Sequence, residues 1–463
     1  MAKTRGGGSR QAELFTRSKK PIIPIEENHR LVKLTDSMDW TEMEIRAENI
    51  RASKLKNAAG RPPHMRALLG AMVLRATRYM PYRVLEDQIR HYAPARYLCG
   101  LTESEWTPDH NTLHDFMELM GEEGVRFINE YAVEWAVEEK LADSSVVVGD
   151  TTAQEAAIPH PNEMGMMAAF VSTVVGASKR AGAVMKEFVA KAEGLVDGAK
   201  KKAREYRLFA KGKTKAGKNK MMAQMTNIIE QLNAGLGDAL ESAKQSRLTK
   251  YGLVARSRLE ELHETMKKLA PQIRYWLRTG FVASGKVISL YMPELYSIVR
   301  GKVGKTVEFG LSWGIRRLRG GYLLATVATA KNELHDLKFV ISAVEEHTAL
   351  FGEPPRAYAY DRGGWNKKNV AALKKMGIKK VGLAPRGKAK WDVDGRTKEK
   401  LISERAQIEG GIGSIKHAKY GFNRPAARSV RMMGTCGQLA VLGFNLNKVV
   451  RELAKREKCP TVG

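Results

Sequence analysis

Ser144-Ser-Val-Val-Val-Gly-Asp150 is a β-branched run that closes on an acid. Such a run suits a central strand buried on both faces. An acid at its exit serves either as a metal ligand or as a turn former and helix cap. The pattern returns late in the chain as Arg356-Ala-Tyr-Ala-Tyr-Asp361, followed by Arg362-Gly363-Gly364-Trp365-Asn366. The two glycines there let the backbone come close to a ligand.

Between these runs, Lys286–Tyr291, Ser297–Arg300, Thr306–Trp313 and Gly321–Ala328 read as strands. Asn332 can cap a helix from Glu333 to about Phe351, with Leu337, Val340, Ile341 and Val344 on its apolar face. Gly301-Lys302-Val303-Gly304-Lys305-Thr306 looks like a phosphate loop. Its glycines are spaced wrongly for one and a strand follows, so it reads as a hairpin. After Asp361 come a helix from Lys367 to Met376, a strand Lys380–Ala384, a basic loop Pro385–Lys400 and a further helix. That helix holds Arg405-Ala-Gln-Ile-Glu409-Gly-Gly-Ile-Gly-Ser-Ile-Lys416. Arg405, Glu409 and Lys416 stand four and seven residues apart and share one face. A carboxylate between two cations stays ionised, which makes Glu409 a ligand for a hard divalent cation and its neighbours phosphate holders.

The chain has 463 residues, enough for two or three cores, and 43% of them are hydrophobic, which argues against wholesale disorder. Its net charge of +28 asks for a polyanionic partner, nucleic acid before membrane. There is neither an apolar run long enough to span a bilayer nor a signal peptide, so a soluble intracellular protein is expected. Cys99, Cys436 and Cys459 are too scattered for a disulfide framework or a zinc site.

Six segments follow: a basic tail over 1–30, a helical domain over 31–140, the first part of an α/β domain over 141–164, a helical insertion over 165–280, the rest of the α/β domain over 281–450, and a tail over 451–463. In the helical domain, Met65, Leu68, Leu69, Met72, Val73 and Leu74 recur at helical steps, and Pro108–Thr112 supplies a stop and a cap before Leu113. This resembles a helix-turn-helix arrangement. The insertion reads as two antiparallel helices joined by a basic loop, with Gly212 and Gly217 as breaks. Residues 165–280 hold 23 Lys and Arg against 10 Asp and Glu, so a solvated face would repel itself and phosphate contact is favoured. Lys200, Lys201, Lys202, Lys211, Lys213 and Lys215 are the contacts expected.

Strand with Asp150, insertion, antiparallel strands, helix, strand with Asp361, helix, strand, helix with Glu409 is the order of a ribonuclease-H-like mixed sheet. Three carboxylates brought together there can hold two Mg²⁺ roughly 3.5–4 Å apart for phosphodiester chemistry.

Arg405-x3-Glu409-x6-Lys416 matches three of the four positions of the Tyr-x2-Arg-x3-Glu-x6-Lys signature, the tyrosine position being Ile402. Val148–Thr152, Tyr360–Gly364 and Gly301–Gly310 also resemble segments of the same enzymes, and Gly60–Thr112 resembles their helical N-terminal domain. On these residues the chain resembles a DDE transposase of the bacterial insertion-sequence type. The resemblance implies an enzyme that binds terminal inverted repeats, cleaves at the ends and joins the freed 3′-hydroxyl to target double-stranded DNA. It implies Asp150, Asp361 and Glu409 as metal ligands for Mg²⁺, for which Mn²⁺ can substitute, and Arg405 and Lys416 as phosphate clamps. Arg362 and Trp365 would follow the second aspartate at the DNA, Trp365 either stacking on an extruded base or packing under the sheet. A homodimer in the active complex and a cytoplasmic, nucleoid-associated protein without membrane contact are also implied. The alternatives are a purely hydrolytic nuclease or junction resolvase, and an inactive DNA-binding derivative. Of the remaining acids near the motifs, Glu155 and Glu308 can assist or be surface charge, and Glu404 is expected to be surface charge.

Overall fold

A computed structural model describes residues 25–55, 63–102, 104, 106–244, 246–302, 305–328, 331, 333–385, 387 and 389–458. Most of the basic N-terminal tail, Gly60 to Pro62, the tip Val303-Gly304 and Asn332 lie outside them. The chain divides into two compact units, one from residues up to 120 with those from 446 onward, the other from residues 121–445.

The first unit is helical: α1 (Arg30–Ser37), α2 (Trp40–Lys54), α3 (Met65–Thr77), α4 (Tyr82–His91), α5 (Ala93–Leu98) and the start of α6 (His110–Glu138). All six apolar residues picked out on α3 are buried, and so is nearly every other residue of that helix. It is a central helix rather than an amphipathic one. Gly70 makes this possible, because a Cβ there would come 2.6 Å from Cys99 Cα and Leu98 O. The start of α6 is capped as expected, with Asp109 accepting from Thr112 N at 2.7 Å. The last turns of α14 (Val430–Lys458) complete the unit, where Asn447 donates to Thr77 O at 3.0 Å. Residues 451–458 therefore continue a helix instead of forming a tail.

The helical domain ends earlier than residue 140. Gly121 (φ 63°) breaks α6, and the half beyond it belongs to the second unit, where Asn129 bonds Leu323 O and Asn445. The mixed sheet of this unit runs β2-β3-β1-β5-β6, with β4 also paired to β3. Its strands are β1 (Asp143–Glu155), β2 (Tyr296–Lys302), β3 (Lys305–Arg319), β4 (Leu323–Val327), β5 (Ala357–Tyr360) and β6 (Lys380–Leu383). β3 is antiparallel to β1, β2 and β4, while β5 is parallel to both β1 and β6. Lys286–Tyr291 is not a strand, although Val287, Ile288 and Leu290 in it are buried.

One face of the sheet packs against α11 (Asp336–Phe351) and α12 (Lys367–Lys375) through Val147, Tyr358, Tyr360, Phe339 and Leu373. The other packs against α13 (Gly395–Ile415) and α14 through Val146, Val148, Ala357, Ala359, Ile408 and Val441. His335 caps α11, its side chain accepting from Leu337 N.

Between β1 and β2 lie four helices rather than two: α7 (Glu163–Ala181), α8 (Lys186–Phe209), α9 (Lys215–Ser242) and α10 (Lys250–Thr279). They share a core of Met167, Phe170, Val174, Met225, Ile229, Leu259 and Met266. Gly217 is no break, since it lies in the first turn of α9 and donates to the capping Thr214 hydroxyl at 3.2 Å. Lys200 to Lys202 lie on α8, and only residues around 210–214 connect the helices.

Candidate active site

β1 is twice the length of the apolar run, so Asp150 sits within it rather than at its carboxyl end. Its pairing with β5 stops sooner, at Val148↔Ala359. The register is constant from Val146↔Ala357 onward, and carrying it two residues past the last pair sets Asp150 level with Asp361. Asp361 keeps an extended backbone (φ −75°, ψ −176°) before the chain turns. Neighbouring strands are about 4.8 Å apart, so the two aspartates leave the sheet side by side. Alternation places both on the face that carries Val146, Val148, Ala357 and Ala359, the side of α13.

Each carboxylate is held by backbone. Asp150 Oδ1 accepts from Thr151 N and Asp361 Oδ1 from Gly363 N, both at 2.7 Å. Together they line a cleft of about 440 Å³, with Lys331, His335 and Asp336.

Asp336 was not singled out in the sequence. As the first residue of α11 it reads as an ordinary acid favoured by the helix dipole. Its Oδ1 accepts from Thr151 Oγ1 at 2.8 Å and from Tyr360 OH at 3.1 Å, which ties α11 to β1 and β5 beside the two aspartates. Burial, then the nearby Asp336, pushes the Tyr360 hydroxyl well above its usual range, so it remains a donor. Gly363 has to be small: a Cβ would collide with Asp336 Oδ2 and come 2.9 Å from Asp361 Oδ1. A spacing signal for Asp336 exists only in the fold, through Thr151 and Gly363.

α13 lies over the sheet with Leu401, Ile408 and Ile415 buried. Its rotation is set by Glu404, whose carboxylate takes Arg317 at 2.8 Å and Arg319 at 3.0 Å, while Arg317 also bonds Gln407. Glu404 is thus not surface charge. The acid and Arg317 are 15% and 7% exposed, and each completes the other's burial. Arg319 pairs with Asp143 at the start of β1. At 100° per residue, Arg405, Glu409 and Lys416 fall on the opposite flank of α13, turned away from that end of β1. Glu409 is exposed and paired with Arg405 at 3.3 Å. It does not line the cleft of Asp150 and Asp361, and among the described residues no three His, Cys, Asp or Glu side chains are grouped tightly enough to hold a metal ion. Ile402, at the signature's tyrosine position, is exposed.

Trp365 packs half-buried against the cluster of Phe339, Tyr358 and Tyr360 under the sheet, and Arg362 is exposed. Glu155 pairs with Arg424 at 3.1 Å, and with Glu308 it lines an adjoining cavity of about 770 Å³. On the insertion, Lys200 pairs with Asp197 and Lys202 with Glu205, whereas Lys201, Lys211, Lys213 and Lys215 are in no ion pair among the described residues.

Among the described residues no helix is long and apolar enough to cross a membrane. Residues 20–119 match a family model described as "Transposase domain (DUF772)", which supports a transposase family for this chain. Comparison with curated proteins and with solved structures finds no match.

Proposed function

We propose that the chain is a DDE-type DNA transposase in which Asp150, Asp361 and Glu409 act on the phosphodiester backbone. The observation that carries this reading is the register that brings Asp150 level with Asp361 at one cleft, in a sheet whose face is also covered by the helix bearing Arg405-x3-Glu409-x6-Lys416. The mixed sheet, with β1 to β4 in antiparallel pairs and β5 and β6 parallel to β1, supports a ribonuclease-H-like reading. The N-terminal match supports the same class of protein.

The donors suit a hard cation, because the Asp150 and Asp361 carboxylates offer only oxygen. Mg²⁺ bound there would activate a water or 3′-hydroxyl and stabilise the leaving oxygen. The protein's own part is positioning. Backbone N–H groups of Thr151 and Gly363 fix the two carboxylates. Glu409, exposed and held by one ion pair, supplies the third as DNA is engaged, and Arg405 and Lys416 on the same flank neutralise phosphate charge. The first unit would bind the transposon ends, and two copies would handle both ends.

The test is strand transfer with a pre-cut 3′ end and Mg²⁺. Joined product is expected from the wild type, and Asp150→Asn, Asp361→Asn or Glu409→Gln should each lower it by about 10³-fold or more with DNA affinity nearly unchanged. Cleavage without joining would instead identify a hydrolytic nuclease, and binding that survives all three changes with no chemistry in the wild type would identify an inactive derivative.

A further inference from the structure

The helical insertion ends in an apolar point set in positive charge. Leu208 and Phe209, the last two residues of α8, are 59% and 58% exposed, while Phe188 and Val196 earlier on the same helix are 7% exposed. After them the chain turns through Ala210–Gly212 and re-enters a helix at Lys215, so both side chains stand at the end of a helical hairpin. Lys201, Arg204 and Leu208 follow one another at helical steps and share a face. Arg207, Lys211 and Lys213 surround the tip. Within 200–220 the ion pairs among the described residues are those of Lys200 and Lys202, and the cations nearest the tip are in none.

Two large apolar side chains held in water at a tip are unfavourable unless a partner covers them. The charge around them selects a polyanion. An anionic membrane surface is a poorer fit, because interfacial helices bury a long apolar face and this one offers two residues at its end. Duplex DNA fits both features, since apolar side chains can enter between base steps while flanking cations take the phosphates on either side.

We propose that Leu208 and Phe209 form a wedge that the insertion drives between base steps of duplex DNA, anchored by the surrounding Lys and Arg. The inference rests on the reading of the chain as a DNA-binding transposase and adds how the insertion holds the duplex. Insertion between base steps unwinds DNA. Full-length protein is mixed at low salt with closed-circular plasmid, the plasmid is relaxed by a type I topoisomerase, and the DNA is deproteinised. The wild type should leave negative supercoils. The double variant L208A/F209A should bind about tenfold more weakly and leave none at saturating protein, and Phe209→Trp should retain both properties. Lys211→Gln with Lys213→Gln and Lys215→Gln should lower affinity and flatten its salt dependence, yet keep the supercoils at saturation.

Plasmid bound by the wild type with no change in linking number overturns the wedge, as does an unchanged shift in the double variant. Sedimentation with phosphatidylserine vesicles that depends on Phe209, without plasmid unwinding, would assign the tip to membranes instead. A wild type that binds no plasmid even at low salt removes the DNA-binding reading and the wedge with it.

Discussion

Asp336 accepts hydrogen bonds from Thr151 and Tyr360, residues of two different strands, and its second oxygen reaches the space that Gly363 leaves open. A carboxylate so placed sets the distance between α11 and the turn that presents Asp361. The sharpest probe is therefore Gly363→Ala, which inserts a methyl group between Asp336 and Asp361. It should destabilise the protein by about 1–3 kcal/mol in thermal or denaturant unfolding and depress DNA cleavage further than that loss explains. Asp336→Ala in the same background should recover most of the stability, because the collision partner is gone. If Gly363→Ala is neutral in both measurements, the two carboxylates are not packed as described.

At the scale of elements, α13 is positioned by charge as well as by apolar contact. Leu401, Ile408 and Ile415 place the helix against the sheet, but an apolar stripe leaves its rotation loosely defined. Arg317 and Arg319, gripping Glu404, define it and thereby set the flank on which Arg405, Glu409 and Lys416 stand. Removing one partner leaves the other buried and uncompensated, so Glu404→Ala should cost about 3–5 kcal/mol, read as a lowered Tm. The pair Arg317→Met with Glu404→Leu should restore most of that stability while leaving the helix less well oriented, visible as reduced DNA chemistry in a well-folded protein. Equal loss of stability in the single and double variants would show that the ion pair is not what seats the helix.

Across the whole molecule, about half of the net charge of +28 lies in the insertion, and around the sheet some cations are held in internal pairs. One such pair bears on acid stability. Arg316 lies buried against Glu346 at 2.8 Å, and His347 beside it is driven down to about 4 by burial and then by the Arg316 charge. The unfolded chain, with His347 near 6.5, binds the proton more readily than the folded one. The contribution of neutral His347 to stability is therefore fully present above about pH 6.5 and is lost as pH falls towards 4. Unfolding followed across that window should show His347→Leu with a shallower acid slope than the wild type, and parallel slopes would rule out this histidine as a source of acid sensitivity.

Outside the insertion and the segment 286–291, the order of strands and helices was legible in the sequence, because buried parallel strands must be continuous β-branched or aromatic runs and because each run closed on an acid that no core would take unpaired. It also made Asp150, Asp361 and Glu409 stand out, and it put about half of the basic excess in the insertion. Local pattern could not say that β1 outlasts its apolar run, that the insertion folds as four helices, or that residues 451–458 return to the helical unit, since those outcomes depend on partners distant in the chain. Nor could it distinguish Glu404 from surface charge or reveal Asp336. Their roles arise from the crossing of α13 over Arg317 and from the meeting of Thr151, Tyr360 and Gly363 at the head of α11, and only tertiary packing brings those groups within hydrogen-bonding reach.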